Sequence, residues 1–287
     1  MRKYVIIKKR SVKDMSADLH CHSKCSDGAT SVQNVIRLAK FTGLNAIALT
    51  DHDTFKGVEE AQFYGKKYGI EVIHGAEISA YDFERKRQVH ILCYNCRKPE
   101  VLFDIFEESK KNRYEAMQNA MKKISEVYAI SMEMVEENAR ESSTVFKSHI
   151  MYTLMEAGYT ERVYGDLYRK IFDWKTGFAK TQIAYPDVYE VIDLIHQAQG
   201  IAILAHPTVY DTMPAIDKMI AKGIDGIECW YPRGTQKVTD ELLAITEKHH
   251  LLRTGGTDFH GYSAGKVNPI GTCTTPDDDL RRLINWA

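Results

Sequence analysis

Ala17-Asp18-Leu19-His20-Cys21-His22 is a short apolar run that ends in a polar cluster, and this shape decides the fold because it recurs along the chain. Ala46-Ile47-Ala48-Leu49 leads into Thr50-Asp51-His52-Asp53. Glu71-Val72-Ile73 leads into His74-Gly75-Ala76-Glu77, and Val89-His90-Ile91-Leu92 precedes Cys93-Tyr94. Ile201-Ala202-Ile203-Leu204 runs into Ala205-His206-Pro207, and Gly226-Ile227-Glu228-Cys229-Trp230 into Tyr231-Pro232. Leu251-Leu252-Arg253 passes through Gly255-Gly256 to Asp258-Phe259-His260. Apolar runs of this length, bounded by turn residues, read as buried strands.

Helical patterns separate many of these runs. Thr30 with Gln33 reads as a capping box, followed by one apolar face of Val32, Val35, Ile36 and Ala39. The segments 58–68, 188–199, 215–222 and 238–249 read similarly. Strand–helix alternation predicts an α/β fold with a parallel sheet. Seven strands with polar ends predict a barrel whose site lies on the C-terminal face of the strands. Between residues 97 and 180 the rhythm stops. Helices are predicted over 103–127, 132–139 and 148–157, with no strand. The expected organisation is a discontinuous barrel, residues 1–96 and 181–287, with a helical insertion or cap over 97–180. Met1–Lys13 reads as an extra edge segment.

Composition narrows the function. The 287 residues are 44% hydrophobic, which suits a globular core and excludes a disordered chain. The net charge is -1, and basic and acidic residues balance within 97–180. No stable complex with long nucleic acid is therefore expected, since that binding draws on basic excess and counterion release. No window is long and apolar enough for a membrane span, and the start has no apolar stretch fit for a secretory leader. A cytoplasmic location is the expectation. The Cys93-Tyr-Asn-Cys96 pair lacks a second pair for a zinc site, so reduced thiols are expected. No oligomeric state follows.

The polar clusters bring together His20, His22, Asp27, His52, Glu77, His90, His206, Asp258 and His260. Each offers imidazole or carboxylate, a donor set that suits Zn, Mn or Fe. His20 with His22, and Asp258 with His260, have i, i+2 spacing, which on a strand turns both side chains to one face. A single core His usually only hydrogen-bonds. Coincidence at the ends of successive runs needs a common cause. Asp18, Asp51 and Asp53 flank these residues and either orient imidazoles or cap turns. His74 reads as structural, and His196, His249 and His250 as helical surface or core.

His20-Cys-His22-Ser, Ser26-Asp27-Gly28, Thr50-Asp51-His52-Asp53, Gly75-Ala76-Glu77-Ile78-Ser79, Ala205-His206-Pro207 and Asp258-Phe259-His260-Gly261 resemble the ordered motifs of the polymerase-and-histidinol-phosphatase (PHP) phosphoesterases. The resemblance runs from about Ala17 to Gly271. Within the family it is to the TrpH-like, nucleotide phosphoesterase branch with a helical insertion. It implies a distorted (β/α)7 barrel and three divalent metal ions (Mn, Zn or Fe), with a metal-activated hydroxide as nucleophile. By motif, His20, His22, Glu77 and Asp258 hold the first ion. Glu77, His90 and His206 hold the second, and Asp27, His52 and His260 the third. The same resemblance places Arg113 and His149 at the branch's basic cap positions; with Lys147, and with Arg233 after the sixth strand, where relatives often have His-Ser in place of Arg233-Gly234, they are the residues expected to bind substrate. Lys147 stands where the branch carries Arg, a point charge in place of a bidentate fork.

The function implied is metal-dependent hydrolysis of a phosphate ester. The substrate would be a small nucleotide, such as a nucleoside 3′,5′-bisphosphate or monophosphate, or a short oligonucleotide end. One alternative is histidinol-phosphate phosphatase, against which the long insertion speaks. An alternative of another class is a metal-holding regulatory domain without turnover, which any phosphate release excludes.

Overall fold

The structure is a computed structural model that describes residues 16–261 and 268–286; the expected edge segment at Met1–Lys13 lies outside them. The chain runs β1 (Ala17–Cys21), α1 (Val32–Phe41), β2 (Ala46–Leu49), α2 (Val58–Tyr68), β3 (Glu71–Asp82) and β4 (Arg87–Tyr94). Four helices follow without a strand: α3 (Phe103–Ile124), α4 (Met132–Asn138), α5 (Lys147–Glu156) and α6 (Asp166–Phe172). The barrel resumes with α7 (Val188–Gln197), β5 (Ile201–Leu204), α8 (Ile216–Lys222), β6 (Gly226–Trp230), α9 (Gln236–Lys248), β7 (Leu252–Gly255) and α10 (Asp277–Ile284).

The strands lie in sequence order in one sheet. Cys21 bridges to Phe259 beyond β7, and the His22 amide donates to the Phe259 carbonyl at 2.8 Å, so the barrel is nearly closed. The expectation of a wholly parallel sheet is corrected. β4 is antiparallel to both β3 and β5. The cause is local: β3 runs on to Asp82, and only a short turn separates it from β4. A connection that short suits an antiparallel hairpin, whereas a parallel return needs a crossover of a dozen residues.

Inside the barrel, small residues alternate with large ones. Ala17, Ala46, Ala48 and Ala205 pack with Leu19, Leu92, Tyr94, Ile203 and Leu252. Outside, α1 and α2 cover Cys21, Ile47 and Leu49, while α7, α8 and α9 cover Ile78, Ile91, Cys93 and Ile227. The buried face of α1 is Val32, Val35, Ile36 and Ala39, each large one contributing roughly 1.5–3 kcal/mol by leaving water. Its predicted capping box is absent. Ser31 is the N-cap without a side-chain bond, and Gln33 donates to the Tyr68 hydroxyl. Residues Ala116 to Ala179 form a separate apolar core among α3 to α6, while Leu102 and Phe106 pack on the barrel. All six cysteines are free.

Gly256 shows how tightly the closing segment passes β1. A Cβ there would lie 2.3 Å from the His20 Cβ and 2.5 Å from the His20 amide nitrogen. Only glycine lets the two backbones approach this closely.

Candidate functional site

The nine expected residues converge on one end of the barrel, and Glu77 is their centre. β1 delivers His20, with His22 just beyond it. His52 follows β2, His206 follows β5, and Asp258 and His260 follow β7. Glu77 and His90 are not at strand ends as expected. They lie inside β3 and β4, on adjacent strands, with Ser79 opposite His90 and Glu77 opposite Leu92. Paired residues share a face, so Glu77 and His90 both point inward.

Five imidazoles surround the Glu77 carboxylate. Oε2 lies 3.2 Å from His20 Nε2, 3.1 Å from His22 Nε2 and 3.3 Å from His52 Nδ1. Oε1 lies 2.7 Å from His90 Nδ1 and 2.9 Å from His206 Nε2. Asp258 Oδ1 lies 3.4 Å from His22 Nε2 and 3.6 Å from His20 Nε2. On the other side, Asp27 Oδ1 lies 3.3 Å from His260 Nε2 and 3.7 Å from His22 Nδ1.

These atoms fall into three overlapping groups: His20, His22, Glu77 and Asp258; His22, Asp27, His52 and His260; and His52, Glu77 and His90. His206 joins the cluster through its bond to Glu77. His20 Nε2, both His22 ring nitrogens and His52 Nδ1 are buried, face carboxylates, and have no hydrogen bond. Buried polar atoms are normally satisfied. Unsatisfied imidazole nitrogens opposite carboxylates fit divalent cations held between them, and the donor set agrees.

The charge state follows from the same geometry. Burial alone would raise Glu77, but the imidazoles of His90, His20 and His52 hold it well below the usual carboxylate range. Burial likewise opposes ionisation of Asp27 and Asp258, but His260 together with the neighbouring imidazoles, His52 and His22 at Asp27 and His22, His20 and His206 at Asp258, holds both well below the usual carboxylate range. Burial by itself lowers His20, yet the charges of Glu77 and Glu228 hold it well above its ordinary value. His260 is pushed up to about 10, since Asp27 and Asp258 outweigh its burial. His52 is the opposite case: burial prevails and depresses it strongly.

The flanking aspartates hold loops and do not bond the imidazoles. Asp51 accepts from the Ser23 amide and hydroxyl and from the Ser26 hydroxyl, at 2.6–2.8 Å, fixing the turn that carries Asp27. Asp18 accepts from the Thr257 amide and hydroxyl and from the Gly271 amide, pinning β1 to the segment after β7. Asp53 accepts from the Ser79 amide at 2.8 Å and from Arg113 at 2.7 Å. His74 packs on Phe55, away from the cluster, and His196 bonds Asp225.

Two cavities meet at the cluster and share Asp27, His52 and His90. One, of about 420 Å³, is also lined by Arg113 and Lys147. The other, of about 670 Å³, reaches Arg233 and Asn268. Arg113 is stacked on Phe146 and Tyr185 and clamped by Asp53 and Ser79. Burial and the neighbouring Arg113 lower Lys147.

His149 departs from its expected place. It lines neither cavity. Its Nδ1 accepts the Phe146 amide at 3.0 Å at the start of α5, and burial pushes its pKa down to about 4. A buried imidazole in that position caps the start of α5. His149→Ala should therefore cost about 1–3 kcal/mol of stability through the orphaned amide and the vacated space. Its kcat/KM well below Tm should change less than about threefold; thermal melts with parallel kinetics check both.

Two groups escaped the sequence reading. Glu228, fully buried in the apolar strand β6, bonds His20 Nδ1 at 3.0 Å and accepts the His206 amide at 2.8 Å. A charged residue inside a core strand was the available signal. The cavity walls also carry Tyr164, Tyr168 and Tyr210, which contact both chambers. These come from loops and α6, where no periodicity marks them.

Comparison with known proteins gives the same picture. A PHP domain model matches residues 18–251. The chain is 30% identical over 259 residues to a phosphoribosyl 1,2-cyclic phosphate 1,2-diphosphodiesterase of Eggerthella lenta, covering 90% of this chain and 98% of the relative. It is 32% identical over 248 residues to a 5′-3′ exoribonuclease of Haemophilus influenzae, covering 85% and 89%. Among solved structures, a chain of Bifidobacterium adolescentis assigned as a metal-dependent phosphoesterase superposes with a TM-score of 0.86 at 29% identity, covering 93% of this chain and 95% of that one. With a family match over most of its length and relatives that hydrolyse phosphate esters, the chain belongs to the PHP-domain family and is a metal-dependent phosphoesterase.

Proposed function

We propose that this enzyme hydrolyses a phosphate ester of a small nucleotide, enclosed between the barrel mouth and a helical cap formed by residues 97–180. The observation that carries the reading is the Glu77 hub of five imidazoles opening onto two chambers, one of which holds Arg113 and Lys147. The relatives act on cyclic ribose phosphates and RNA, which supports a nucleotide-like substrate. A cytoplasmic setting is part of this proposal; no helix among the described residues is long and apolar enough to cross a membrane.

The residues fit three divalent ions. His20, His22, Glu77 and Asp258 would hold the first, Glu77, His90 and His206 the second, and Asp27, His52 and His260 the third. Such ions neutralise phosphate oxygens and lower the pKa of water at neutral pH. The protein supplies the rest. Arg113 keeps its charge in place, because Asp53 and Ser79 fix one edge and two aromatic faces cover it. Lys147 beside it adds a second cation, and Arg233 serves the other chamber. A second phosphate held on these cations would align the first at the cluster, so that remote binding energy assists the reacting centre.

A nucleoside 3′,5′-bisphosphate should then show a kcat/KM about 10–100-fold above the matching monophosphate, the equivalent of one charged hydrogen-bond pair of about 1.5–3 kcal/mol. Arg113→Ala or Arg233→Ala should narrow that ratio while metal content stays constant. Equal turnover of both nucleotides contradicts the two-phosphate account. Faster turnover of histidinol phosphate supports that alternative, and a preference for long RNA that falls steeply with salt points to an exonuclease.

A further inference from the structure

Glu228 is a fully buried carboxylate with two defined partners, and neither is a cavity or solvent. Strand β6 places it between His20 and the loop after β5. Oε1 lies 3.0 Å from His20 Nδ1, and Oε2 accepts the His206 amide at 2.8 Å. Both partners belong to the Glu77 cluster: His20 Nε2 and His206 Nε2 lie 3.2 Å and 2.9 Å from the two Glu77 oxygens. His206 has φ +27, a backbone conformation non-glycine residues rarely adopt. Such a conformation costs of order 1–3 kcal/mol and persists only where surroundings enforce it.

We propose that Glu228 is a positioning residue, holding His20 as the Nδ1–H tautomer and His206 in its left-handed turn so that both present Nε2 to the Glu77 centre. The two effects come from one carboxylate. An ionised acceptor beside Nδ1 keeps the proton there and leaves the Nε2 lone pair free for a cation, which also makes the imidazole a stronger donor. The charge-assisted bond to the His206 amide ties down the strained turn. Glutamine cannot reproduce this. Its single oxygen can accept from one partner, and its NH2 then faces the other donor. The inference rests on the reading of the cluster as a metal centre.

The test is calorimetric titration of metal-free protein with Zn²⁺ and separately with Mn²⁺. Glu228→Gln should weaken the affected site by about 10–100-fold, as loss of an outer partner of a metal ligand does. In a His20→Ala background the same change should cost no more than about threefold, because its main route of action is already gone. Phosphate release is read in parallel, and added metal should restore kcat of Glu228→Gln more than it restores that of His20→Ala. If Glu228→Gln does not fold, judged by circular dichroism of the metal-free form, Glu228→Asp takes its place. Asp keeps the charge but is too short to span both partners, and the same weakening is expected. Wild-type affinity in the substituted protein overturns the positioning role, and a full additional loss in the His20→Ala background overturns its action through His20. No metal binding by the wild type overturns the metal-centre reading itself, a separate outcome.

Discussion

Glu77→Gln is expected to lower kcat/KM for any phosphate ester by at least about 100-fold, the upper end of what loss of an important metal-site partner costs. The magnitude follows from position. Each Glu77 oxygen meets imidazoles, three at Oε2 and two at Oε1. The amide keeps the shape but removes the charge, and its NH2 must face at least two rings that the carboxylate served. Either orientation breaks one half of the cluster. His22→Ala touches fewer partners and should cost less. Elemental analysis of the purified variant should find less than the wild-type metal complement. Near wild-type turnover with full metal content contradicts the bridging role.

Chelation is expected to act on activity and on stability together. Hydrolysis should stop, because donors drawn from separate strands serve the same ions. Stability falls because metal bound to the folded state contributes about 2.7 kcal/mol per site at a concentration a hundredfold above Kd. At roughly 2–4 °C per kcal/mol for domains of 150–250 residues, Tm should drop by several degrees or more. The pH dependence has a defined sign. His20, His22 and His260 are raised in the metal-free protein, so they hold protons that an incoming cation must displace. Metal affinity should rise from pH 6 to pH 8 and keep rising toward the value of about 10 for His260. Without metal, the raised His260 stabilises the fold fully below its unfolded pKa of about 6.5, and this contribution is lost as pH climbs through about 10. Titrations in buffers of different ionisation enthalpy count the protons released.

The barrel and the nine clustered residues were legible because buried strands concentrate apolar residues and the polar residues that follow them stand out. His20-Cys21-His22 and Asp258-Phe259-His260 carry this most clearly. The direction of β4 was not legible. His90 sits in an apolar run like any other, and only the length of β3 beyond Glu77 reveals a hairpin. Glu228 was hidden for a related reason, since its one-residue interruption of β6 has no spacing partner nearby. His149 was assigned from its likeness to the branch's basic cap positions, a likeness that carries no sign of its burial or of its bond to the Phe146 amide. Arg113 stands between these cases. It reaches the chamber, but Asp53 and Ser79 already hold part of its guanidinium.

The most direct measurement is phosphate release from a panel of nucleoside mono-, bis- and cyclic phosphates, with histidinol phosphate and RNA included. It is run with protein carrying its native metal, with chelated protein, and with Glu77→Gln. The account predicts turnover of a small nucleotide by the loaded enzyme, loss after chelation, recovery on adding Mn²⁺ or Zn²⁺, and no recovery in Glu77→Gln. Undiminished phosphate release from protein shown by elemental analysis to be metal-free would contradict it.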